Sequence, residues 1–178
     1  CWSLEKIHGS SSHISFNSKR GIPLSFFAGG APYKSFVELF NKDLLEEKFM
    51  ELFSAGDLIT VYGEAYGGKL QGMKETYGKD LKFIAFDIKI GDCWLNVPAA
   101  AELTSKLGLE FVYYTKISTD LEALDNERDK FSIQAERNGC GTSKIKEGLV
   151  LRPLVELTMN NNERVICKHK NIEFQERL

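Results

Sequence analysis

The chain has 178 residues, 43% of them hydrophobic, and a formal net charge of −2. That suits one buried core in a single domain, 1–178, and argues against a histone-like binder that holds polyanions by bulk charge. Cys1, Cys93, Cys140 and Cys167 form no C-x-x-C pair, which weighs against a zinc knuckle or a disulfide framework and fits a reducing compartment. No apolar run approaches the ~20 residues of a membrane span, and no basic-then-apolar leader precedes Lys6. The expected protein is cytoplasmic and monomeric, with no membrane partner.

In chain order, residues 2–8 and 13–20 read as two strands broken by Gly9-Ser10-Ser11-Ser12, a hairpin by this pattern. In extended backbone Lys6 shares a side with Leu4 and His8, while Glu5 and Ile7 face the other way. Gly9 then permits a sharp turn or a close approach to a ligand. Lys6 is either a solvated strand lysine or a nucleophile, and the second role requires the neutral amine that burial or neighbouring cations favour. Lys19 and Arg20 close the second strand, as a solvated end or as an arginine aimed at a phosphate or ribose. After a loop rich in glycine and proline at 28–34, Phe36, Leu39, Phe40, Leu44, Phe49, Leu52 and Phe53 recur at helical spacing through 35–54. This marks an amphipathic helix or helix pair packed on a sheet.

The next strand, 58–66, carries Glu64 between Gly63 and Ala65. A buried carboxylate is costly unless paired, so Glu64 lies on a solvated face or faces a cation or ribose hydroxyls. Strand 82–90 alternates Ile84, Phe86, Ile88 and Ile90 with Phe83, Ala85, Asp87 and Lys89. Phe86 is a core residue or a stacking surface for a base. A helix follows at 97–107 with Pro98 at its start, then a short strand at 111–116, a charged helix at 120–129 and a glycine-rich loop at 137–141. Glu147 opens the apolar strand 147–152. The final strand, 164–170, places Lys168 and Lys170 with Ile166 on one face and Val165, Cys167 and His169 on the other. Two lysines on one face repel, so both are solvated or both are directed at an anion.

These stretches, in this order, resemble the motif set of the covalent nucleotidyltransferases. They are most similar to the nick-sealing ATP-dependent RNA ligases, which include phage RNA ligase 2 and the kinetoplastid RNA editing ligases. E-K-I-H-G-S at 5–10 resembles the nucleophile motif, and S-K-R at 18–20 the arginine motif after it. Y-G-E at 62–64, F-I-A-F-D-I at 83–88, E-G-L-V-L-R-P at 147–153 and V-I-C-K-H-K-N at 165–171 resemble the remaining four. The resemblance implies an α+β fold of antiparallel β-sheets with flanking helices around an ATP pocket, the ATP-grasp-like ligase adenylation domain. It implies that Lys6 attacks the α-phosphorus of ATP to give lysyl-AMP, that AMP passes to an RNA 5′-phosphate, and that a 3′-hydroxyl seals the break, as in a nicked duplex. It further implies Mg²⁺ or Mn²⁺ as a cofactor.

The same resemblance assigns roles to residues. Lys168 and Lys170 contact the α-phosphate and Arg20 the ribose or phosphate. Glu64 holds the ribose hydroxyls or the metal's waters, and Glu147 places the metal and Lys6. Phe86 stacks on adenine, with Val150 opposite, and the main chain from Glu5 to Ile7 reads the adenine amino group. Two departures limit the carry-over. Ser11 stands where the family commonly has asparagine, and an accessory N- or C-terminal RNA-binding domain is expected to be absent from this chain, which begins five residues before Lys6 and ends at Leu178. The competing readings are a DNA ligase or a GTP-using capping enzyme, which usually carry Asp in place of His8, and a non-catalytic AMP- or RNA-binding module.

Overall fold

The computed structural model describes residues 1–53 and 56–174. Ser54, the last residue of the expected helical stretch, lies outside them. Two antiparallel sheets carry the fold. One has the order β3 (Leu24–Ala28), β2 (Ser10–Asn17), β4 (Leu58–Gly67), β5 (Leu81–Ile90), β6 (Cys93–Trp94). The other runs β7 (Tyr114–Lys116), β1 (Trp2–Glu5), β8 (Gly148–Arg152), β9 (Cys167–Lys170). The helices are α1 (Tyr33–Val37), α2 (Lys42–Leu52), α3 (Lys74–Tyr77), α4 (Val97–Lys106), α5 (Leu121–Arg128) and α6 (Ile133–Arg137). No described helix is long and apolar enough to cross a membrane.

The hydrophobic stretch 35–54 is a helix pair. Asn41 caps α2 by accepting from the Leu44 N–H at 3.2 Å, satisfying one of the orphan donors of the first turn. Leu45 and Phe49 then face the first sheet, where Phe49 stacks on Phe16 with ring centroids 4.9 Å apart. Ile14, Phe16, Ile59, Val61 and Ile88 complete this core with Ala100 of α4. Full burial of a side chain such as Phe49 contributes about 1.5–3 kcal/mol. α4 begins with Asn96 accepting from the Ala99 N–H at 3.0 Å and with Pro98 in its first turn, where a missing N–H costs nothing.

β1 and β2 are not a hairpin, contrary to the sequence expectation. They belong to different sheets, and residues 6–9 carry the chain across from one to the other. Leu4 and Ile7 join the same core cluster, so the alternation of the extended backbone ends at Glu5. Gly9 makes the crossing possible: a Cβ there would lie 2.3 Å from the Ala65 carbonyl oxygen.

A second correction concerns β5. Its register with β4 pairs Tyr62 with Asp87 and Gly63 with Ala85, leaving Phe86 as the extra residue of a β-bulge. The two faces therefore exchange at this point. Ala85 and Ile88 pack into the same core, while Ile84 and Phe86 belong to the cluster between the sheets. The expected single face of Ile84, Phe86, Ile88 and Ile90 does not exist. β3, β6 and α6 were not expected, the strand at 111–116 contracts to Tyr114–Lys116, and that at 164–170 contracts to Cys167–Lys170.

Candidate active site

Where the two sheets face each other they enclose a cavity of about 420 Å³ bordered by Glu5, Lys6, Ile7, Glu64, Phe86, Val150 and Lys168. Strand pairing builds it. β1 and β8 match Glu5 with Leu149, and the Lys6 N–H donates to the Gly148 carbonyl at 3.0 Å, which sets Lys6 beside Glu147. β8 and β9 match Gly148 with Lys170 and Val150 with Lys168. Gly148 has φ +145°, and a Cβ there would meet the His169 carbonyl at 2.3 Å, so this approach of the two strands requires glycine.

Glu147 is the hub. It is 3% exposed, and its Oε2 accepts from Lys6 Nζ at 2.7 Å and lies 3.0 Å from His8 Nδ1. Its other oxygen lies 3.8 Å from Lys170 Nζ. The two lysines offset the cost of a buried carboxylate. Glu64 is in the opposite situation. Burial first, and then the charge of Glu147, push its carboxyl up to about 7, against the opposing pull of Lys6, Lys168 and a backbone hydrogen bond from Gly9. Glu64 borders the cavity, and a carboxyl raised by burial and by Glu147 would gain from a divalent ion placed against it. Among the described residues no group of three or more Asp, Glu, His or Cys could cage one. A divalent ion would therefore keep much of its water, with Glu64, which borders the cavity, rather than Glu147, which is engaged by Lys6, as the side chain to hold it.

Phe86 and Val150 both border the cavity and are half-buried against the cluster of Leu4 and Ile7. The Glu5 carboxylate is engaged elsewhere. It accepts from Ser132 Oγ at 2.5 Å and from the N–H groups of Ile133 and Gln134 at 3.0 and 3.2 Å, docking α6 against β1. Arg20 is exposed in the turn after β2 and does not border the cavity. Lys6, Glu64, Phe86, Glu147, Val150, Lys168 and Lys170 are thus gathered, and Arg20 is not. Ser11 also borders the cavity, in the place where the motif usually has asparagine.

Sequence reasoning missed the far wall. Asp87 lies 3.1 Å from Arg152 NH1 and 2.5 Å from Arg164 NH1, and Arg164 also contacts Glu156 at 2.7 Å. The Arg164 guanidinium sits 4.0 Å from the centre of the Trp94 ring. Burial pushes the Asp87 carboxyl up, with Arg152 and Arg164 opposing. The available signal was Asp87 itself, a charge in an apolar strand, because no spacing relates positions 87, 152 and 164.

This pair of antiparallel sheets, with a lysine on a buried carboxylate where they meet, is the architecture of a ligase nucleotidyltransferase domain. The RNA ligase family model matches residues 1–170, and the chain belongs to that family. Among solved structures it is similar to an RNA ligase of Naegleria gruberi. A variant with AMP and Mn is 16% identical with a TM-score of 0.69, the match covering 97% of this chain and 50% of that one. A second variant, with ATP and Mn, is 15% identical with a TM-score of 0.70 over 97% and 50% of the two chains. The same ligase with PPi is 16% identical with a TM-score of 0.69, again over 97% and 50%. The chain thus spans about half the length of these structures. No curated protein sequence matches at a significant level.

Proposed function

We propose that this chain is the adenylating domain of an ATP-dependent RNA ligase that joins 5′-phosphate and 3′-hydroxyl ends, with a nicked duplex as its substrate. The observation that carries the reading is the Lys6 amine 2.7 Å from the buried Glu147 inside the cavity that also presents Lys168, Glu64 and Phe86. Nucleotide and manganese in the N. gruberi structures support ATP and Mg²⁺ or Mn²⁺ as co-substrate and cofactor. A monomer in the cytoplasm, with duplex engagement assigned to an accessory domain, completes the proposal.

In the first step the neutral Lys6 amine attacks the α-phosphorus of ATP. The new N–P bond forms as the bond to the bridging oxygen breaks, pyrophosphate leaves, and the nitrogen releases a proton to solvent to give the phosphoramide. Lys168 and Lys170 would offset the negative charge that grows on the non-bridging oxygens. Glu147 fixes the position of the Lys6 amine through the 2.7 Å contact. Phe86 and Val150 would bracket the base, and Glu64 would hold the ribose hydroxyls or the waters of a divalent ion. When bound, that ion supplies charge neutralisation at the phosphates. In the second step an oxygen of the RNA 5′-phosphate attacks the same phosphorus, and the N–P bond breaks to return the amine, which takes up a proton. In the third, the 3′-hydroxyl loses its proton and attacks the 5′-phosphorus, and AMP leaves.

The test is intact mass after incubation with ATP and Mg²⁺. One AMP adduct on the wild type and none on Lys6→Ala is the expected result. Full labelling of Lys6→Ala would overturn the assignment, and labelling by GTP instead of ATP would move the protein to the capping-type reading.

A further inference from the structure

We propose that α5 is a brace that positions the reacting groups from behind, acting through Lys146 and His169, which are sequence neighbours of the site residues. The inference rests on the adenylation reading above and adds residues that do not themselves border the cavity.

Lys146 precedes Glu147 and is 1% exposed. Its Nζ lies 3.4 Å from Glu127 Oε1 near the C-terminal end of α5, and the other oxygen of Glu127 accepts from Lys130 at 2.7 Å. Glu5, which precedes Lys6, feels the charge of Lys146 from the same buried cluster. The turn after α5 adds to this attachment: the Ser132 N–H donates to the Lys144 carbonyl at 2.7 Å, and the Ser132 hydroxyl donates to Glu5. On β9, His169 stands between Lys168 and Lys170. Its Nε2 lies 2.7 Å from Asp125 Oδ1 and 3.1 Å from Arg128 NH1, both on α5. One helix and its following turn thus grip the residue before the nucleophile, the residue before its carboxylate partner, and the residue between the two phosphate-facing lysines.

The alternative is that the cluster serves folding alone. Buried ion pairs are poor stabilisers compared with apolar residues of equal volume, and burial already pushes the Lys146 amine down. An apolar residue at position 146 would pack behind Glu147 at less cost but would not hold it by directional bonds. Directional fixing matters here because displacing a reacting group by about 1 Å costs on the order of 10²-fold in rate.

The experiment compares Lys146→Met, Glu127→Gln, the double variant and Asp125→Ala with wild type. It measures the thermal midpoint, the single-turnover rate of AMP attachment to Lys6 at saturating ATP, and the ATP concentration giving half that rate. Glu127→Gln takes the carboxylate partner from the buried Lys146 and should melt lower, and Lys146→Met leaves Glu127 paired with Lys130 and should melt less far below wild type, whereas the double variant removes the buried pair and should regain the wild-type midpoint. With the fold restored, its adenylation should remain about tenfold slower or worse, at an ATP half-saturation unchanged within about twofold. Asp125 is 39% exposed on its side chain, so Asp125→Ala should keep the wild-type midpoint and still slow the step several-fold. A double variant as fast as wild type, or an Asp125→Ala variant with an unchanged rate, overturns the brace. A half-saturation that rises in step with the lost rate overturns it as well, because the defect would then lie in ATP binding. A wild-type protein that takes no AMP defeats the adenylation reading itself, so the two failures are distinct.

Discussion

Replacing Glu64 with glutamine should flatten the dependence of stability on pH. Burial and Glu147 raise the Glu64 carboxyl from its ordinary 4.5 to about 7 in the folded protein. Between those values the fold holds a proton that the unfolded chain has released, so raising the pH favours unfolding. The stability associated with this group is complete below about 4.5 and is lost as the pH rises through about 7. At 1.36 kcal/mol per pH unit the whole effect is ~3 kcal/mol, a ceiling because Lys6 and Lys168 can rearrange toward the ionised carboxylate. Urea unfolding of wild type and Glu64→Gln from about pH 4.5 to 8 should give curves that separate as the pH rises, with the variant the more stable at the alkaline end. Adding Mn²⁺ with a non-hydrolysable ATP analogue should supply the missing cation and remove the separation for wild type. Parallel curves throughout would refute the argument, since they would mean that Glu64 ionises as freely in the fold as outside it.

Phe86→Ala should raise the ATP concentration needed for half-maximal adenylation by roughly tenfold, from a stacking contribution of ~1–3 kcal/mol per base. Phe86→Leu should be mild, and an ATP dependence unchanged in both variants would return Phe86 to the plain core. Gly63→Ala places a Cβ 2.3 Å from the Ile84 carbonyl at the bulge. It should cost about 1–3 kcal/mol in thermal unfolding and weaken ATP capture through displaced Phe86. Lys168→Met should slow lysyl-AMP formation in single-turnover assays with little change in the thermal midpoint, because Lys168 is exposed on β9.

What could be read from the sequence was local. The helical stretch 35–54 is marked by a period near 3.6, strand 58–66 by its branched and aromatic residues, strand 82–90 by an alternation that holds on either side of its bulge, and the run 97–107 by Pro98 and three alanines, all visible within a few residues. The candidate residues were legible for a similar reason, since short motifs in a fixed order carry them, and the strand pairs of β1, β8 and β9 bring Lys6, Glu147, Lys168 and Lys170 together. Alternation cannot say which sheet a strand joins, so β1 and β2 were read as a hairpin. α6 is only five residues long and β6 only two, too short for a period to emerge. The partner of the Glu5 carboxylate is Ser132, with no pattern linking the two positions.

The bulge at Phe86 shows how such a misreading bears on function. With strict alternation, Phe86 and Asp87 would face opposite sides of β5, one toward nucleotide and the other toward the core. The extra residue instead turns both toward the cavity. Asp87 is in turn fixed by Arg152 and Arg164, and Arg164 by the face of Trp94. The proposed adenine wall is therefore adjacent in the backbone to a buried ionic cluster, and it can shift only if that cluster shifts. A feature that breaks the pattern of the strand thus holds the aromatic ring in place, which is why the same residues in an unbulged strand would not make this site.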